Sequence, residues 1–546
     1  MNHIDIDTPD LAINAWWPRL AATSQRGIHV LDEASGGLNY CSYAELYRQA
    51  SIMSSVLAAK GISRGDAVLL SAETSPVFPV LWLALMWLGA VPVPLPPVSA
   101  LPGQNTFFNR IRHILPHFHH YLHGADEGPE IKRAIQACQA RLACWRIDQL
   151  REEAMDTLGL APEPVELASQ DLAFVQYTSG STSAPKGIRI TYGNLLHNIQ
   201  GMSRRLQLNA HVDTFISWLP LYHDMGLIGK LLQSMLTQTN LVLVSPHAFV
   251  KHPLRFLSLI EAHQGSICSM PNFAYELLLK RAQPDVPIPN LRSMRWFGVG
   301  AEPVRINTTT AFSQRFEQHG LRPGVVSPCY GLAEATLAVS IDNPLQGYQT
   351  VQLGDARHAT CGRPLDGFDV RIDPDSRALL IRGESVASTA LVNGEIVSLL
   401  DGDGYYNTKD VARLEEGRLV ILGRVDEMFV VNGENRFPYD IEAAVRSVCG
   451  ETTRAACFQL PRDAGRGKAE VIVVYERKAE QASMDDDIQE AIHGAVLSHT
   501  GLRIDQVVAV DFKTLPVTPS GKIQRIQARQ HYLLGHYQAE RESLVI

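Results

Sequence analysis

No Cys-x-x-Cys pair occurs in this 546-residue chain. Its eight cysteines, at positions 41, 138, 144, 268, 329, 361, 449 and 457, are scattered. That spacing argues against a zinc site and against a disulfide framework, and it fits a reducing compartment. There is no excess of positive charge: the formal net charge is −8, which speaks against nucleic acid as the main partner. No internal repeat or long low-complexity segment is present. A membrane span is also missing. The uncharged stretch 77–98 comes closest, but Pro92, Pro94, Pro96 and Pro97 break its second half and leave too short a helix. The first ten residues are polar and acidic, unlike a signal peptide. The sequon at Asn307 has no secretory context. The expectation is a cytoplasmic protein with no stable membrane insertion and no nucleic-acid partner.

What remains is ordinary for a globular chain: 45% hydrophobic and 19% charged residues. The length exceeds one core, so two or more domains are expected. From residue 40 to 270 helix-like and strand-like stretches alternate. Tyr43 to Lys60, Leu195 to Leu206, Leu227 to Leu236 and Pro253 to His263 have helical spacing. The runs 67–71, 214–218, 241–244 and 266–269 read as strands. Such alternation predicts an α/β fold with a parallel sheet covered on both faces. After about residue 365 the texture changes to short strands (370–372, 379–381, 395–399) between Gly, Asp and Pro turns, as in a small antiparallel barrel. The turn-rich segment 423–427 is the best linker. It predicts a large N-terminal domain, 1–425, and a small α+β domain, 426–546, with helices at 441–448 and 486–499, strands at 470–476 and 507–512, and a last helix and tail from Gln524 to Ile546.

One loop carries the most chemistry. Tyr177-Thr178-Ser179-Gly180-Ser181-Thr182-Ser183-Ala184-Pro185-Lys186-Gly187 lies between two β-prone runs. Glycine lets the backbone approach a polyphosphate, the hydroxyls and N–H groups can wrap it, and the lysine adds a mobile charge. It is not a Walker loop, because Lys186 precedes a glycine and a strand rather than Ser/Thr and a helix.

The order Thr-Ser-Gly-Ser-Thr-x-x-Pro-Lys-Gly resembles the phosphate loop of the adenylate-forming superfamily: acyl-CoA synthetases, luciferases and peptide-synthetase adenylation domains. Further segments resemble that superfamily in the same order along nearly the whole chain: 218–226, 298–303, 330–336, 405–410, 423–426 and 515–523. The resemblance implies ATP and Mg²⁺ as cofactors. It places Thr178, Ser179, Gly180, Ser181 and Thr182 on the phosphates, with Lys186 beside them. Gly300, Ala301, Glu302 and Pro303 would line the adenine and Tyr330 would stack on it, next to Gly331. Glu334, with Thr178, would hold the metal, which suits a hard oxygen ligand. Thr336 would contact the α-phosphate, Asp410 the ribose hydroxyls and Arg424 the ribose and phosphate. His223 would sit at the acyl pocket. Asp426 would be the pivot that lets Lys522 enter and leave the site. The superfamily usually has glycine where Lys409 stands.

The implied reaction is attack of a carboxylate on the α-phosphate of ATP, giving acyl-AMP and pyrophosphate, then transfer to a thiol. The segments 91–97, 218–226, 271–277 and 300–304 resemble fatty acyl-AMP ligases, which load an acyl carrier protein. The extra insertion usual in that group's large domain is not evident in the compact stretch 383–405, which leaves coenzyme A open as acceptor. An acyl-CoA synthetase, a free-standing amino-acid adenylating enzyme and, on the Lys409 departure alone, a non-catalytic nucleotide-binding or scaffold protein are the alternatives. Met270 and Val299 are bulky for a long tunnel and predict a shortened acyl pocket.

Overall fold

A computed structural model describes residues 13–98, 111–124, 127–157, 163–178, 185–353, 356–431, 434–450, 452–460, 469–477, 485–518 and 522–537. The alternating apolar runs form two sheets. The larger has seven strands in the order Val326–Pro328, Trp296–Val299, Ile267–Met270, Thr214–Ser217, Asn240–Leu243, Gly27–Leu31 and Leu38–Ser42. Its pairs are parallel except the final hairpin. Strands such as Leu241-Val242-Leu243 are fully buried, as parallel strands covered on both faces must be.

The second parallel sheet runs Val91–Leu95, Ala67–Ser71, His120–His123, Ala143–Arg146. Pro92 and Pro94 sit on its edge strand, the place where a missing N–H breaks no ladder. The preceding helix, Val77–Trp87, is buried from Phe78 to Trp87. Its 11 residues span about 16 Å against a hydrocarbon layer of about 30 Å. Among the described residues no helix is long and apolar enough to cross a membrane.

A third sheet carries the phosphate-loop candidate. Leu172–Thr178 and Lys186–Thr191 form a hairpin, extended by Thr389–Val392 and then Glu395–Ser398. This corrects the expected place of the strand at 395–399. It joins the loop's sheet rather than the small barrel, because Ala390 pairs with Ile188 and both are fully buried. The small subdomain proper is four antiparallel strands, Asp369–Ile372, Ala378–Arg382, Tyr406–Glu415 and Arg418–Arg424.

The C-terminal part is a three-stranded sheet, Ala455–Leu460, Glu470–Arg477 and Gln506–Asp511, packed with helices Pro438–Cys449, Asp485–Thr500 and Arg525–Leu533. Its apolar clusters draw only on residues from Phe429 onward, and the preceding clusters only on residues up to Ile421. Within the expected helix and tail of Gln524 to Ile546 the helix spans Arg525–Leu533, and residues after 537 lie outside the described residues.

Candidate active site

The region expected to take the phosphates is built by the hairpin strands Leu172–Thr178 and Lys186–Thr191 and by the turn Ala333–Ala335. Lys186 opens the strand Lys186–Thr191 and is the cross-strand partner of Thr178, whose hydroxyl donates to the Lys186 carbonyl at 3.4 Å. Ser179, Gly180, Ser181 and Thr182, named for the same cradle, lie outside the described residues. Lys186 Nζ stands 3.8 Å from Glu334 Oε1 and 5.6 Å from the centre of the Tyr406 ring. The Tyr406 hydroxyl donates to the same Glu334 oxygen at 2.9 Å.

Glu334 sits in the single turn Ala333–Ala335, just after Tyr330–Gly331. The chain then reverses abruptly: Leu337 N–H donates to Ala335 O at 2.8 Å around Thr336, which has φ of +67°. A β-branched residue in that conformation is strained, and such strain persists only where the surroundings impose it. Here Thr336 is fully buried and its hydroxyl donates to the Ser385 carbonyl at 2.8 Å. That corrects its expected contact with the α-phosphate: the hydroxyl anchors the turn and the residue does not line the cleft. Gly331 is required for the same reversal, because a Cβ there would lie 1.8 Å from the Leu337 carbonyl oxygen.

The segment expected to face the adenine begins where the strand Trp296–Val299 ends. Gly300, Ala301, Glu302 and Pro303 line the cleft, with Ala301 in the left-handed region at φ +69°. Opposite them, the Tyr330 hydroxyl donates to Asp410 Oδ2 at 2.5 Å, and Arg424 Nη1 reaches Asp410 Oδ1 at 3.5 Å. Burial pushes the Asp410 carboxyl up to about 6, while the Tyr330 hydrogen bond and the charges of Arg424 and Lys522 pull the other way. Arg424 also donates to both oxygens of Asp426, at 2.9 and 3.2 Å. Lys409 has φ of +61°, the conformation a glycine would adopt without strain. The hydrogen bond from its N–H to Asn407 Oδ1 at 2.9 Å and the one from Val425 N–H to its carbonyl at 2.8 Å hold it there.

The segment expected at the acyl pocket starts at Trp218, stacked on Phe249 with centroids 4.2 Å apart. Gln176 Nε2 donates to the Tyr222 carbonyl at 3.0 Å, fixing the following His223 against the phosphate hairpin. His223 Nδ1 lies 2.6 Å from Asp224 Oδ1, which also accepts from Met225 N–H at 2.7 Å. Burial alone would raise the Asp224 carboxyl. His223, Lys522 and the amide outweigh it and hold the group below its ordinary value. Met270 and Val299 are cross-strand partners, both fully buried, and neither lines the cleft. The expectation that they shorten an acyl pocket is therefore withdrawn. Trp218, Gln233, Trp296, Leu337 and Lys230 do line the cleft.

Lys522 arrives from the C-terminal part. Its loop is closed by a bridge between Val517 and Ile523, by Thr518 N–H to the Lys522 carbonyl at 2.8 Å, and by Lys522 N–H to Thr518 Oγ1 at 3.1 Å. The side chain is exposed to the same cleft, of about 3010 Å³, that Glu334, Asp410 and His223 line. Its charge acts on both Asp224 and Asp410. Sequence reasoning missed Tyr406, Gln176 and Lys230. Only Lys230 left a signal, a single charge inside the apolar run 227–236.

A large domain of parallel sheets, a small β subdomain and a C-terminal α+β unit that lends a lysine to the shared cleft define an adenylate-forming fold. Residues 20–397 match the AMP-binding enzyme family, and residues 426–542 match the Disco-interacting protein 2-like AMP domain. The chain belongs to the AMP-binding enzymes. It is 30% identical over 523 residues to Rv1013 of Mycobacterium tuberculosis, covering 89% of this chain and 93% of that one. It is 26% identical over 571 residues to the medium-chain-fatty-acid–[acyl-carrier-protein] ligase JamA of Moorena producens, covering 94% and 93%. A structure from studies of the fatty acyl-adenylate ligases of E. coli and L. pneumophila superposes with a TM-score of 0.86 at 25% identity, over 98% of this chain and 99% of that chain.

Proposed function

We propose that the protein activates a carboxylic acid, most simply a fatty acid, as acyl-AMP with release of pyrophosphate, and then passes the acyl group to the phosphopantetheine thiol of an acyl carrier protein. The observation that carries this reading is the convergence on one cleft of Lys522, of Glu334, which Lys186 and Tyr406 contact from behind, and of the Tyr330–Asp410–Arg424 cluster. The Glu334 group suits the leaving phosphates, the Asp410 cluster the ribose. Lys522, between Asp224 and Asp410, would sit where the carboxylate meets the α-phosphate and where negative charge grows. The kinship to a carrier-protein ligase supports the choice of acceptor.

In this reading Thr178 and the loop 179–182 hold the β- and γ-phosphates, Gly300 to Pro303 face the adenine, Tyr330 stacks on it, and His223 borders the acyl group. Among the described residues no three His, Cys, Asp or Glu side chains cluster as a metal cage. Mg²⁺ fits all the same, because it is usually bound by one or two carboxylates plus substrate phosphates. Glu334 and the Thr178 hydroxyl of the phosphate hairpin would hold it, and it would neutralise phosphate charge. The domain boundary is placed at residue 425, with Asp426 as pivot, so that rotation withdraws Lys522 and admits the thiol. Cytoplasmic location is part of the same proposal.

The test is pyrophosphate release across a panel of acids, run with coenzyme A and with a phosphopantetheinylated carrier protein. Acid-dependent release with label moving to the carrier supports the reading. Transfer to coenzyme A alone makes the enzyme an acyl-CoA synthetase, and release driven only by amino acids makes it an amino-acid adenylating enzyme.

A further inference from the structure

Lys230 lines the cleft, and the proposed reaction gives it no task. It belongs to the stretch Leu227–Leu232, which is wound as a π-helix, an uncommon geometry that recurs at functional sites. All six residues of that stretch are buried, and Lys230 is 2% exposed. Its Nζ stands 5.3 Å from the centre of the Phe215 ring and 5.5 Å from that of Trp296. The other ionisable groups facing it are the thiols of Cys268 and Cys329. Among the described residues it forms no salt bridge with a carboxylate. Burial lowers its pKa to about 8, so the amine is still mostly protonated at neutral pH. Aromatic faces offset part of the cost of burying a cation, but they accept no N–H hydrogen bond of ordinary strength.

A second donor beside it is also unmet. The indole Nε1 of Trp296 is buried without a hydrogen-bond partner. Both residues line the cleft. Buried donors are nearly always satisfied, and a partnerless ammonium beside a partnerless indole on a cleft wall marks a place where a ligand supplies the acceptor. Met202, Leu206, Leu337 and Ile341 of the same cleft offer only hydrocarbon, and Gln233 donates its amide to Ser203 at 3.2 Å.

We propose that the acid this enzyme selects carries a second oxygen function along or at the end of its chain, an oxygen that accepts hydrogen bonds from Lys230 and Trp296 inside the acyl pocket. A second carboxylate would give the strongest pairing with the buried ammonium; an oxo or hydroxyl oxygen presents the same acceptor chemistry with less charge. A plain alkyl chain would leave both donors buried and unpaired, and a site built to bind an oxygen discriminates against the analogue that lacks it. The inference rests on the proposed acid-activating function.

The experiment is acid-dependent pyrophosphate release by the full-length protein with chain-matched sets of acids ending in methyl, hydroxyl, oxo or carboxylate groups. The expected result is that at least one oxygen-bearing series exceeds its methyl counterpart in kcat/KM by tenfold or more, and the series that wins identifies the oxygen. In Lys230→Met the ratio should invert in favour of the methyl series, with a thermal melt confirming that the variant is folded. Preference for methyl-ended acids in the unaltered enzyme overturns the inference, whatever the variant does. So does a Lys230→Met enzyme with unchanged ratios. No release with any acid would instead remove the proposed function itself.

Discussion

Asp410, proposed to accept the ribose hydroxyls, offers a quantitative handle on the proposed nucleotide binding. Its carboxyl is 14% exposed and is raised from the ordinary 3.8 to about 6, chiefly by burial. That rise disfavours the ionised form by about 3 kcal/mol in the free protein. The sign follows directly. Between pH 4 and 6 the folded chain holds a proton that the unfolded chain has lost, so this group's contribution to stability is full below 4 and is lost as pH rises through 6. Binding runs the other way. Two ribose hydroxyls donating to one carboxylate need it ionised, so affinity should fall as pH drops below about 6, approaching tenfold per pH unit. Adenosine is the right probe, because the terminal phosphate of ATP titrates in the same window. Tyr330→Phe removes a 2.5 Å hydrogen bond that favours the ionised form. Such a bond to a charged group is worth about 1.5 kcal/mol or more, so the midpoint should climb by about one pH unit. Asp410→Asn should bind weakly with no such midpoint. Calorimetric titration with adenosine from pH 5 to 8 checks all three proteins. A midpoint that stays in place in Tyr330→Phe, or moves down, refutes the reasoning.

Two further outcomes are expected. Lys409→Gly should raise the melting temperature, because an L-residue in the left-handed region costs about 1–2 kcal/mol while glycine adds about 0.5–1 kcal/mol of chain entropy; a fall in the thermal melt would show that the lysine side chain contributes more than the strain removes. Asp426→Pro should slow thiol transfer far more than adenylation in single-turnover assays, because proline fixes φ at the pivot; equal loss of both steps would remove Asp426 from that role.

Much of the fold could be read in the chain because periodicity and burial coincide there. Runs such as 241–244 are apolar at every position, and the structure buries them between helices in a parallel sheet. The strand at 395–399 was visible but was assigned to the wrong sheet. Its pairing partner lies some 200 residues earlier, at Gly187 and Ile188 by way of the strand at 389–392, and local pattern carries no such information. Ala455–Leu460 went unread because Ala455, Ala456 and Cys457 are weak strand formers, made into a strand by packing. In the site, Lys186, Glu334, Asp410 and Arg424 stood out because each sits in a motif of fixed order, whereas Tyr406 and Gln176 act through contacts that only the fold creates. Thr336 shows the limit of motif reading, because a strained turn rotates its hydroxyl onto the Ser385 carbonyl. Lys409, which departs from the usual glycine, nevertheless adopts glycine's conformation, so the turn is kept and the residue bears the strain.

The most direct measurement is acid-dependent exchange of labelled pyrophosphate into ATP, comparing the unaltered protein with Lys522→Ala. Lys522 is exposed and its loop is held by backbone and Thr518 hydrogen bonds, so the substitution should leave the fold intact. Removing one donor aimed at developing charge typically costs about 10²–10³ in rate. Exchange reduced by that factor in a normally folded variant is the predicted result, and exchange at the unaltered rate would contradict the assignment of Lys522, and with it the shared cleft, to adenylation.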